Sequence, residues 1–157
     1  METTSLDTID LNLSPDAKLR IAKDYVNELI RTFPCIDAVM VSGSTVRGTS
    51  ISPSDVDMWY LVREGEAPAG VHKCIYRGVS IDIEPVPAEA HTPESLLSDA
   101  YNLGYFTGPL VLYDRSGVLS ALLGYVSAHL ADEPYRSIRL SKLTQPTLLV
   151  VTTSIHT

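Results

Sequence analysis

Val41-Ser42-Gly43-Ser44 and, after ten intervening residues, Asp55-Val56-Asp57-Met58 decide the reading of this chain. An apolar run, Ile36 to Val41, delivers a Gly-Ser turn, and two carboxylates then fall on alternate residues of a second run, Val56 to Val62. Side chains at i and i+2 of a strand share a face, roughly 7 Å apart. Asp55 and Asp57 are therefore expected side by side, able to lean onto one divalent cation. A Gly-Ser turn that opens a short helical turn, here Ser44 to Gly48, leaves backbone N–H groups free for a phosphate. Phosphate cradle and paired carboxylates together point to chemistry on a metal-bound nucleotide.

Working outward, Ser14-Pro15-Asp16 has the chemistry of a helix start: a hydroxyl cap, proline at the first helical position and an acid in the first turn. Leu19, Ala22, Val26, Leu29, Ile30 and Phe33 follow on one stripe, and Pro34 ends the helix. Beyond the carboxylates, Val71–Arg77 and Val79–Val86 flank Gly78 and read as a hairpin. Thr92-Pro93-Glu94 starts a helix expected to reach Leu103, Leu110–Tyr113 reads as a short strand, and Val118–Ala131 as a helix apolar nearly all round. The fold class expected is α/β (α+β), a mixed sheet flanked by helices. The organisation expected is a flexible leader over 1–13, one domain over 14–134, and a tail over 135–157 of foreign character.

The 157 residues suit one domain with a real core. A formal net charge of −7 excludes a non-specific nucleic-acid binder, which needs a basic footprint, but not a nucleotide whose phosphates are carried by a cation. Cys35 and Cys74 lack metal spacing and read as reduced thiols. His72, His91, His129 and His156 share no ligand spacing either, and Trp59 reads as packing or as a border of the nucleotide pocket. No signal peptide or membrane-length apolar run is evident, so the expected location is cytoplasmic.

On the second limb of the hairpin, Val79, Ile81 and Ile83 share one face, and Asp82 and Glu84 the other. If this strand neighbours Val56–Val62, Asp82 becomes a third carboxylate. Such a set can hold two cations about 3.5–4 Å apart and take the proton of an attacking hydroxyl. Hard oxygen ligands without His or Cys favour Mg²⁺.

Val41-Ser42-Gly43-Ser44-x-x-Arg47-Gly48, Ser54-Asp55-Val56-Asp57 and the later Asp82 resemble the signature of the DNA polymerase β-like nucleotidyltransferase superfamily, in the form of its small bacterial members. Leu112-Tyr113-Asp114-Arg115-x-Gly117 also resembles a strand and turn found downstream of that core. The resemblance implies transfer of a nucleoside monophosphate from an NTP to a hydroxyl, with release of pyrophosphate. It assigns Gly43, Ser44 and Arg47 to the phosphates, Asp55, Asp57 and Asp82 to Mg²⁺ (two ions), and Asp82 to the general base, with Glu84 as its substitute. The acceptor it implies is a small hydroxylated molecule such as an aminoglycoside-like antibiotic. The alternatives are an antitoxin-type enzyme that modifies a partner protein, and a truncated relic that binds nucleotide or partner without turnover. A C-terminal helical domain usual in antibiotic-modifying members has no counterpart here, which leaves Val118–Leu130 as an expected face for a second copy or a helical partner. The break near Ser141 reads as a truncation or frame-shift remnant.

Overall fold

The computed structural model describes residues 8–43, 48, 55–63, 65–87, 92–99 and 102–142. The expected turn at Ser44–Gly48 (apart from Gly48), with Ser44 and Arg47, lies outside them, as does the tail beyond residue 142.

Helix α1 (Pro15–Thr32) begins as its sequence dictates. The Ser14 hydroxyl accepts from the Ala17 N–H at 3.2 Å, and Pro15 takes a position where no N–H is needed. Phe33 caps the other end, its N–H bonded to the Leu29 carbonyl. Ala22, Tyr25, Val26 and Leu29, spaced three and four residues apart, are buried. Lys18 is buried beside them.

Strands β1 (Ile36–Ser42), β2 (Val56–Val62), β3 (Cys74–Tyr76), β4 (Val79–Pro85) and β5 (Leu110–Asp114) form one sheet in the order β3-β4-β2-β1-β5. β1 is antiparallel to both β2 and β5, β3 is antiparallel to β4, and β2 runs parallel to β4. The chain is thus α+β, with a mixed five-stranded sheet. β1, mostly apolar and lying between two neighbours, is buried along its whole length, Asp37 and Ser42 included. Val39 and Val41 of β1, Val56, Met58 and Tyr60 of β2, and Ile81 and Ile83 of β4 join the α1 stripe in one core. Each such fully buried aliphatic contributes about 1.5–3 kcal/mol relative to exposure. The alternate residues of the same strands point away from that core, and they carry the polar chemistry.

The hairpin between β3 and β4 turns at Arg77 and Gly78, both with positive φ (48° and 81°), the geometry of a two-residue hairpin turn. β3 is shorter than expected, and His72 precedes it rather than alternating along it. The Asp10 N–H donates to the Gly78 carbonyl at 2.8 Å, and Leu13 packs on the core, so the described part of the leader is tied to the sheet.

The chain divides into two compact units, Met1–Val86 with Gly108–Ser120, and Pro87–Thr107 with Ala121–Thr157. The second contains α2 (Pro93–Leu97), capped by the Thr92 hydroxyl, and a 3₁₀ turn over Leu103–Phe106. The helix expected to run to Leu103 stops at Leu97. The Asp99 carboxylate takes the Asn102 N–H and side-chain amide, replacing helical bonds with a local turn. Residues 135–142 are helical, and from them Arg139 donates to the Leu97 and Leu130 carbonyls and Lys142 to that of Ser98.

Helix α3 (Val118–His129) is less enclosed than its all-round apolar sequence suggests. Leu119, Leu122 and Val126 are buried on one stripe, whereas Val118 and Tyr125 are exposed. Its N-terminus is capped from outside the helix. Asp114, the last residue of β5, accepts from the N–H groups of Gly117, Leu119 and Ser120. Burial alone would raise the Asp114 pKa, but these hydrogen bonds outweigh it and hold the carboxyl below its ordinary value. A depressed folded-state pKa stabilises above the unfolded value and is lost as pH falls through the folded one. Asp114→Ala is therefore expected to cost about 1 kcal/mol at pH 7. The deficit should begin to fade as pH falls below about 4, the ordinary carboxylate value, and vanish only as pH falls through the depressed folded-state one. Thermal unfolding of both proteins across pH 3–7 checks this.

Candidate functional site

The antiparallel register of β1 and β2 sets Ser42 opposite Asp57, and the parallel register of β2 and β4 sets Asp57 opposite Asp82. Directly opposed residues share a sheet face at a strand spacing of about 4.8 Å. Ser42, Asp57 and Asp82 therefore stand in one row on the face away from the α1 core. Trp59 and Glu84 form the next pair along the same two strands, and Glu84 is exposed. Continued one residue beyond its last pair, Cys74 with Ile81, the antiparallel register of β3 and β4 brings Lys73 opposite Asp82.

Gly43 turns the chain at the head of this row with φ 81°, and a Cβ there would lie 2.8 Å from Asp57 Oδ2. Only a residue without a side chain lets the backbone come so close to that carboxylate. The Ser42 Oγ is buried, and among the described residues it has no hydrogen-bond partner. A buried hydroxyl left so costs about 1–3 kcal/mol, which a ligand atom at the row would recover.

Asp55 is held differently. It precedes β2, and one of its oxygens accepts from the Ser80 hydroxyl while the other pairs with Lys73 Nζ at 3.1 Å. Burial would raise the Asp55 pKa, but the hydrogen bonds from Ser80 and Lys73 and the charges of Lys73 and Lys18 prevail and hold it below its ordinary value. Lys18 is only 2% exposed; burial lowers its pKa, against which the charge of Asp55 works. Lys73 is pushed up, first by the hydrogen bond and charge of Asp55, with Asp82 and Asp57 adding to it.

Asp57 and Asp82 present hard oxygens side by side, the donor chemistry that Mg²⁺ takes. Asp55, the third expected ligand, is held by Lys73 and Ser80. Among the described residues no group of three His, Cys, Asp or Glu side chains is arranged to hold a metal ion. Asp57 and Asp82 are a pair in register, and Asp55 is engaged by a lysine and a serine. Carboxylates close together repel, and the charges of Lys73 and Lys18 offset that repulsion at Asp55.

Lys73, Lys18, Ser80 and the role of Ser42 were missed from sequence. Ser80 had a signal, because it alternates with Asp82 on β4; Lys73 and Lys18 had none, since neither belongs to the same local pattern. A cleft of about 380 Å³ between α1 and β5, lined by Lys23, Val26, Asn27 and Leu110–Leu112, shares no residue with the row.

No family model matches the chain, and no curated protein does. Among solved structures it is similar to a mutant of the toxin–antitoxin MntA-HpeT, at 12% identity over 78% of this chain and 98% of that one, with a TM-score of 0.49. It is also similar to a structure described as the toxin–antitoxin with AMP-PNP, at 13% identity over the same shares, again with a TM-score of 0.49.

Proposed function

We propose that the chain is a nucleotidyltransferase that moves a nucleoside monophosphate from an NTP to an acceptor hydroxyl. The observation that carries this reading is the row Ser42–Asp57–Asp82 closed by Gly43, a backbone turn and two carboxylates set on one point of the sheet. In the reaction, the acceptor oxygen bonds to the α-phosphorus, the bond from that phosphorus to the bridging oxygen breaks, and pyrophosphate leaves. Asp82 takes the hydroxyl proton, and Asp57 orients the reacting groups beside it. Glu84, one pair further along the strand, is the alternative base. Gly43 lets the polyphosphate approach the sheet edge, with Ser44 and Arg47 as its further contacts.

A triphosphate and two carboxylates repel, so a cation between them is required; Mg²⁺ would supply that neutralisation, with Asp57 and Asp82 as its holders. The acceptor is a small hydroxylated molecule, aminoglycoside-like in the first instance, or the hydroxyl of a partner protein. The test incubates the chain with α-labelled NTPs and Mg²⁺ against aminoglycosides, lincosamides and the products of neighbouring genes. Label transfer with stoichiometric pyrophosphate release is expected with one acceptor class. Binding of Mg-ATP in calorimetry without release in any arm overturns the enzyme reading in favour of a binding module.

A further inference from the structure

Lys73 is the one described lysine that reaches the row from the edge of the sheet. Its ammonium bonds Asp55 Oδ2 at 3.1 Å, and the β3–β4 register carries its backbone opposite Asp82. The charges of Asp82 and Asp57 add to that of Asp55 in raising the Lys73 pKa. A single positive charge thus stands against Asp55, the acid that alternates with Asp57.

The two lysines at this cluster differ in mobility. Lys18 is enclosed within the first turn of α1 and cannot leave. The Lys73 side chain is 62% exposed on a four-carbon stem, so its head can swing into water at little cost. The buried Ser42 Oγ beside Asp57, which has no hydrogen-bond partner among the described residues, independently marks the row as a place built to receive a ligand atom.

We propose that Lys73 is a built-in competing cation: its ammonium neutralises the carboxylate cluster, and a divalent cation binds there only by displacing it from Asp55. Lys73 thereby sets the metal affinity of the site and keeps it low in the absence of nucleotide, while preventing the mutual repulsion of Asp55, Asp57 and Asp82. On displacement Asp55 is free to turn to the cation, which completes the set of ligands that the chain alone leaves divided. This inference rests on the reading of the carboxylates as a cation site.

The experiment measures Mn²⁺ binding to the full chain, without nucleotide and at fixed pH, by the loss of the free-ion electron paramagnetic resonance signal. Wild type, Lys73→Gln, Lys73→Arg and the double variant Lys73→Gln/Asp57→Asn are compared, with thermal melts to confirm folding. One exposed ion pair counts for little, but the charges of Asp57 and Asp82 add to that of Asp55, and the expected gain in affinity for Lys73→Gln is about tenfold. Lys73→Arg should stay near wild type, because it keeps the charge, and the double variant should lose the gain. The difference between Lys73→Gln and wild type should shrink at high salt, as competition between exposed charges is screened. Equal Mn²⁺ affinity in wild type and Lys73→Gln, abolished in the double variant, overturns the role of Lys73 and leaves the cation site standing. Failure of both proteins to bind Mn²⁺ overturns the cation site and this inference with it.

Discussion

Asp82→Asn is expected to lower nucleotidyl transfer by about 10²–10⁴-fold, the range that loss of a positioned general base costs. The replacement keeps the shape of the side chain and removes only its charge and basicity. Asp82 lies opposite Asp57 in register, and like charges so placed destabilise a sheet by about 0.2–1 kcal/mol. The same substitution should therefore leave the melting temperature unchanged or raise it slightly. Falling activity with rising stability separates a chemical role from a structural one, which would lower both. Transfer measured by pyrophosphate release, beside thermal unfolding, checks the pair of expectations. Activity close to wild type in a folded Asp82→Asn protein would move the proton to Glu84 or remove the mechanism altogether, and the double variant with Glu84→Gln distinguishes the two.

Gly43→Ala should show the opposite balance. At φ 81° a non-glycine residue costs about 1–2 kcal/mol in backbone strain. The added Cβ would meet Asp57 Oδ2 at 2.8 Å. The far end of a side chain can move aside, so the clash adds little to the loss of stability, but the carboxylate that moves is the one in the centre of the row. A displacement of about 1 Å at a reacting centre costs about 10²-fold in rate. Gly65→Ala provides the control, since Gly65 has φ 80° and open space around its missing Cβ. Both variants should lose similar stability, and only Gly43→Ala should lose transfer. Equal activity losses in the two would mean that strain alone is responsible and that the backbone at Gly43 has no special relation to Asp57.

The cap Ser14-Pro15 and the α1 stripe were legible because helix signals are local: a hydroxyl, a proline and apolar residues spaced by three and four. The strand Val56–Val62 was legible to the residue for the same reason. Legibility failed at Thr92–Leu103, where Asp99 competed for backbone N–H groups and ended the helix early. Nothing local marked Lys18, which the structure buries near the Asp55 carboxylate.

By itself the sequence determined which face each acid would occupy, since a period of two leaves a strand residue only two directions to point. It placed Asp57 and Asp82 opposite to the apolar residues Met58 and Ile83, and the folded chain has them so. Only the tertiary structure decided which acids would be neighbours. Sheet order made β4 adjacent to β2, so Asp57 stands level with Asp82 on another strand, while Asp55, its neighbour in sequence, is drawn to Ser80 and Lys73. Alternation along a strand is written in consecutive residues. Register between strands is settled by the packing of the whole sheet, and the charge partners of a carboxylate are settled with it.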